Sequence, residues 1–183
     1  MSINASYRRV FQCELDGLLA GSRELLLKWF GETSIEEEND IDFAEVLQAL
    51  EGDGRYLDIN NTWDAIHFLL TGESAFKENS QAPLPLGNVV MGGAATDIKT
   101  TYGVAHYLTP DEVADVAHAL EPLSVENILA RYDARAFNEA GIYPGRNRWE
   151  EGDDEEFASE YALLRAFFLD AAREKQAVLI AFD

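Results

Sequence analysis

Hydrophobic positions along the chain recur with two different periods. Residues 6–13 alternate around Tyr7, Arg9, Phe11 and Cys13, which predicts a first strand with Cys13 as a small core residue. From 15 to 30 the spacing turns helical through Leu18, Leu19, Leu25, Leu26, Trp29 and Phe30, with Gly21 as a break and Gly31 as a stop. A short helix is expected near 43–50, ending in the Gly52-Asp53-Gly54 turn. Thr62 then caps a strongly apolar helix over 63–70 that Gly72 ends. A helix apolar on nearly every side belongs in the core, so Trp63, Phe68 and Leu70 are expected to be mostly buried.

Residues 77–101 hold Pro83, Pro85, Gly87, Gly92 and Gly93 and read as loop with one short strand at most. A strand over 102–108 follows. Thr109-Pro110-Asp111-Glu112 is the sharpest local signal: a capping threonine, proline at the first helical position, and a glutamate that reaches back. Its helix runs to about Leu120, and Ser124 caps another that continues to about Ala140. Phe157, Tyr161, Leu164, Phe168 and Ala171 form one stripe of a long helix. The closing run 177–182 has no polar face, as a central, buried strand would. The fold class read from this order is α+β: a small mixed sheet packed by several helices, one domain over 1–183.

Charge changes the picture more than composition does. The 183 residues carry 34 acidic and 14 basic side chains, a formal net charge of −20. That balance excludes a phosphate-backbone binder, so no nucleic acid is expected as a partner. The acids concentrate in two runs, near 32–42 and 150–156, where like charges favour solvated, extended backbone. Neither run carries the spacing of a calcium loop. No apolar stretch reaches the roughly 20 residues a bilayer requires, and no signal peptide is visible. One cysteine fits a reducing compartment, so a cytoplasmic protein without membrane attachment is expected.

The candidate chemistry gathers on the helix after Thr62. Trp63 and His67 lie four apart and share a face, Asn60 precedes them and Thr71 continues the stripe. Asp64, three residues before His67, is placed to bond an imidazole nitrogen, and such a pair serves as a general base. His67, Asp64 and Tyr143 are therefore the catalytic candidates of a small hydrolase or transferase reading. The competing reading makes His67 a buried core residue with a depressed pKa, and that reading is favoured. Trp63, Asn60, Thr71, Ser74 and His106 are candidate binding residues. His106 and His118 lack the spacing that preassembles a zinc site, and no phosphate-loop or dinucleotide fingerprint occurs, so neither metal nor cofactor is expected. Arg146 and Arg148 precede the second acidic run and are expected to pair with it.

The Trp-x-x-x-His-Phe-x-Leu-Thr-Gly core of residues 63–72, together with Tyr107-Leu-Thr-Pro-Asp-Glu-Val113 and Gly141-Ile-Tyr-Pro144, resembles the YfbM-like family of bacterial domains of unknown function. The likeness runs in order along nearly the whole chain. Where that family usually carries an Asp-Lys pair before the tryptophan, this chain reads Asn60-Asn61. The resemblance implies a compact α+β domain and no particular activity. A chain this acidic without a catalytic fingerprint is read first as a binding module for a basic protein or a small molecule, with the enzyme as the alternative. Its oligomeric state is not legible.

Overall fold

The last strand of the chain is the middle strand of its sheet. The computed structural model describes residues 2–31, 48–49, 52–78, 80–145 and 148–183. Within them β1 (Ala5–Val10), β2 (Tyr56–Asp58), β3 (Ala94–Thr100), β4 (Gly103–Leu108) and β5 (Ala177–Phe182) form one sheet in the order β2-β1-β5-β4-β3. All four pairings are antiparallel, where a mixed sheet was expected. Periodicity marks a strand but carries no direction; only the short turn between β3 and β4 fixes its pair as antiparallel in advance. Strand β5 pairs along its whole length with β1, from Ala177 opposite Val10 to Phe182 opposite Ala5.

Both faces of the sheet are covered, which is why β5 has no polar side. On one face Val178 and Ile180 pack in the main core with Tyr7 and Leu108. That core is roofed by α3 (Trp63–Thr71), α4 (Asn88–Met91), α5 (Pro110–Leu120), α6 (Val125–Leu129), α7 (Ala134–Ala140) and α8 (Glu155–Arg173). On the other face Ala177, Leu179 and Ala181 meet Leu15, Leu18 and Trp29 from the hairpin of α1 (Gln12–Leu19) and α2 (Arg23–Phe30). The α+β class is thus the observed one.

Several boundaries fall elsewhere than the pattern places them. The first strand stops at Val10, because Glu14 reaches back to the Phe11 N–H (2.9 Å) and starts α1 there. Cys13 consequently sits on α1 and is exposed rather than in the core. The helix expected from Ser124 to Ala140 is two helices, since Asp133 turns extended and its carboxylate accepts from the Ala136 N–H. The proline- and glycine-rich stretch contains α4 and a full seven-residue strand, β3. The acidic run at 150–156 is not extended: residues 151–154 form turns, and Glu155 and Glu156 open α8, where its dipole favours negative charge. Arg148 pairs there with Glu156 at 2.8 Å, as expected. The acidic run near 32–42, most of the helix expected at 43–50, and Arg146 lie outside the described residues.

Candidate functional site

Helix α3 is the element on which the candidate residues were placed, and it is nearly engulfed. Trp63, Asp64, Ala65, Ile66, His67, Leu69 and Leu70 are all buried, while Phe68 is half-buried with its ring edge-on to Phe137 at 5.1 Å. Thr62 occupies the capping position, yet its hydroxyl donates to the Ile59 carbonyl (2.7 Å) instead of accepting from α3. The 3-10 turn at Asn60–Thr62 feeds straight into the helix and leaves Thr62 with helical backbone angles. Gly72 ends the helix in the left-handed conformation, as its position predicts.

The proposed carboxylate–imidazole pair is not formed. Both Asp64 oxygens are taken by other groups: Oδ1 accepts from the Ala75 N–H at 2.7 Å, Oδ2 from the Tyr143 N–H at 2.9 Å, and the Ser74 hydroxyl donates at 3.2 Å. Burial pushes the Asp64 carboxyl above its usual value, and the donors from Tyr143, Ala75 and Ser74 oppose that rise. Asp64 is therefore a clasp that ties α3 to two loops. His67 is 1% exposed, and neither ring nitrogen has a hydrogen-bond partner among the described residues. Desolvation pushes its pKa down to about 4, against a small upward pull from Glu73. The ring is a core group with no route to a substrate in this arrangement.

The other candidates scatter. Asn60 lies outside the helix with positive φ, its N–H held by Asp58. The Thr71 hydroxyl closes the far end of α3, donating to the His67 carbonyl and accepting from the Glu73 N–H. His106 is half-buried on β4, and its Nδ1 donates to the Met91 carbonyl at 2.8 Å. His118 is on the surface beside Glu121. Among the described residues no three histidine, cysteine or carboxylate side chains come together as a metal site would need.

What does converge is aromatic. Trp63 stacks on Tyr143 at 5.3 Å and 24°, and meets Phe76 and Phe182 edge-on at 5.2 and 5.1 Å. Its indole N–H donates to the Ile3 carbonyl, while the Ile3 N–H donates to the Tyr143 hydroxyl, both at 2.8 Å. These contacts hold the start of the chain against the head of α3. Beside them opens a cleft of about 160 Å³ lined by Ile3, Trp63, Ala75, Phe76, Met91, Tyr102 and Phe182. Phe76 is 60% and Tyr102 41% exposed, so two aromatic side chains at this cleft are partly in water. Ser74 and Asp64 stand behind its Ala75 wall, and His106 is tied to its Met91 backbone. A larger hollow of about 450 Å³ lies on the other face of the sheet, between α1, α2 and β3, and holds no candidate residue.

Of the cleft's lining, residue spacing singled out Trp63 alone. Phe76 carried a signal, as a lone aromatic residue in a polar loop between Gly72 and Pro83. Tyr102, in the turn between β3 and β4, and Phe182, on β5, lie 80 residues apart and are joined by a hydrogen bond from the Tyr102 N–H to the Phe182 carbonyl. No local pattern encodes that meeting.

A five-stranded antiparallel sheet covered by helices on both faces defines the class of the chain as an α+β domain. The chain belongs to the family described as a domain of unknown function, DUF1877, whose model matches residues 1–181. It is 33% identical over 105 residues to Protein YfbM of Escherichia coli strain K12, a match spanning 57% of this chain and 61% of that protein. Its fold is similar to the crystal structure of YfbM, a protein of unknown function from Escherichia coli, with a TM-score of 0.66 at 23% identity over 98% and 99% of the two chains. No helix among the described residues is long and apolar enough to cross a membrane.

Proposed function

We propose that the chain works as one cytoplasmic α+β unit that binds a basic protein partner, with the cleft beside Trp63 as its contact point. The observation that carries this reading is the pair of exposed rings, Phe76 and Tyr102, around a shaped cleft on a surface of net charge −20. Exposed aromatic residues beside a pocket are the anchors on which binding energy concentrates. The chain's net charge of −20 attracts a basic partner and repels acidic competitors. An enzyme built on His67 finds less support, because a general base must reach its proton and this ring is enclosed.

The test is calorimetric titration of the chain with an arginine- and lysine-rich peptide and with its glutamate counterpart. It is run at about 0.01 M and about 1 M salt, where the Debye length is about 30 Å and about 3 Å. The expected result is binding of the basic peptide only, lost at high salt, and weakened by Phe76→Ala and Tyr102→Ala. Both substitutions fall on exposed side chains, and Phe76 reaches the core through its edge-on contact with Trp63, so the fold of each variant is checked by its thermal melt. Unchanged affinity in both variants would remove the cleft from the interface.

A further inference from the structure

We infer that the cleft beside Trp63 receives the guanidinium of one arginine side chain from the basic partner, held over the rings of Phe76 and Tyr102. This rests on the binding reading above and names the group that the site takes.

The first argument is how the chain treats its own aromatic rings. Arg8 lies over Phe30 at 4.4 Å and over Tyr56 at 5.3 Å, Arg9 over Phe167 at 5.6 Å, and Arg148 over Trp149 at 4.8 Å. Arg55 covers Phe11 at 5.0 Å and Trp29 at 4.7 Å. Phe11 is itself 46% exposed, and Arg55 roofs it. A planar guanidinium over a ring face is attracted by the ring's quadrupole and keeps its edge donors free. Phe76 and Tyr102 are just as exposed, and among the described residues no cation lies over either. Lys77, next to Phe76 in sequence, is held by Glu73 at 2.6 Å, and Lys99, three residues before Tyr102, lies on β3.

The second argument is the field behind the cleft. Asp64 is fully buried next to Trp63, and its carboxylate holds the Ala75 and Tyr143 backbones that flank the aromatic cluster. Its partners are neutral N–H and O–H groups, and no basic side chain among the described residues pairs with it. A buried negative charge without a counter-cation favours a positive group on the far side of the wall. Size agrees as well. About 160 Å³ is roughly five times the volume of a water in the liquid, room for a guanidinium and the end of its alkyl stem.

The experiment compares two blocked tripeptides, Gly-Arg-Gly and Gly-citrulline-Gly, which share shape and differ in charge. Binding to the full chain is followed by NMR through the Trp63 indole N–H and the amides of Ala75, Phe76 and Tyr102. The arginine peptide is expected to shift these resonances with an affinity at least about threefold above that of citrulline. Phe76→Leu, which keeps apolar volume but removes the ring face, is expected to abolish that preference, bringing the arginine affinity down to that of citrulline. Equal affinity for the two peptides, or no shift of the cleft resonances up to the solubility limit, overturns the inference. If the longer basic peptide still binds in a Phe76-dependent way, that failure leaves the interaction reading standing. If the arginine preference survives Phe76→Leu, the charge is read elsewhere and the ring-face assignment falls.

Discussion

At the scale of single residues, His67 carries the clearest consequence of burial. A histidine with pKa near 6.5 in the unfolded chain and about 4 in the folded one binds its proton only after unfolding over that interval. Stability is therefore unaffected by this group above about pH 7 and is lost as pH falls from about 6.5 towards 4. The full loss is about 3 kcal/mol, at 1.36 kcal/mol per unit. His67→Met keeps an apolar side chain of similar reach and cannot titrate. Its stability relative to the parent should be flat above pH 7 and rise by that amount towards pH 4, measured by denaturant unfolding across pH. Parallel pH curves for the two proteins would show that the buried ring is protonated as easily folded as unfolded. The same neighbourhood shows what spacing does and does not encode. Three residues along a helix bring Asp64 and His67 to neighbouring positions, and that much was readable. The hydrogen-bond donors that occupy Asp64 come from Ala75 and Tyr143, 11 and 79 positions away, and only the folded loops present them.

At the scale of elements, the strongest local signals became structure where they stood. The Thr109–Glu112 box is closed in both directions, with the Thr109 N–H on Glu112 at 2.8 Å and the Glu112 N–H on Thr109 at 3.4 Å. The α8 stripe is buried as spaced, with Phe167 added beside Phe168. Where two glycines stood together, composition alone read them as looseness, and the structure assigns them a tight fit. Gly92 has φ 71° and ψ −176°, a region open essentially to glycine alone, and a Cβ there would come within 2.7 Å of the His106 Cβ. Gly93 lies with its would-be Cβ 2.9 Å from the Tyr107 carbonyl oxygen. The pair lets α4 turn into β3 directly against β4, which places Met91 at the cleft. Gly72 also has positive φ, at 78°, but nothing lies near its would-be Cβ and its left-handed geometry is one that other residues visit. Gly92→Ala should therefore cost clearly more than Gly72→Ala, which itself should exceed the ordinary cost of about 1 kcal/mol. Urea melts of the two variants decide it, and equal losses would mean that the close approach to His106 relaxes without cost.

At the scale of the whole molecule, net charge and ion pairing pull stability in opposite directions, and their balance is measurable. The described ion pairs lie mostly in water: Arg173 with Asp170, Arg135 with Glu139, and Arg148 with Glu156 all have side chains more than a third exposed. Pairs of that kind contribute about 0–1 kcal/mol each, and salt weakens them. Against them stands an excess of 20 negative charges on one small chain, whose mutual repulsion opposes compaction at every pair of neighbours. Arg55 with Glu14 is more enclosed, at 17% and 13% side-chain exposure, and is less sensitive to screening. Raising salt therefore removes more repulsion than attraction, and the melting temperature at pH 7 should rise steadily from about 0.01 M to about 0.15 M. Acid works through the same excess, since protonating surface carboxylates towards the pI near 4.3 also relieves repulsion. That gain opposes the His67 loss in the parent protein, which is why the histidine effect is read as a difference from His67→Met. A melting temperature that fell with salt would show that the ion pairs outweigh the repulsion. It would also weaken the case that the acidity is held, at a cost in stability, for the sake of a basic partner.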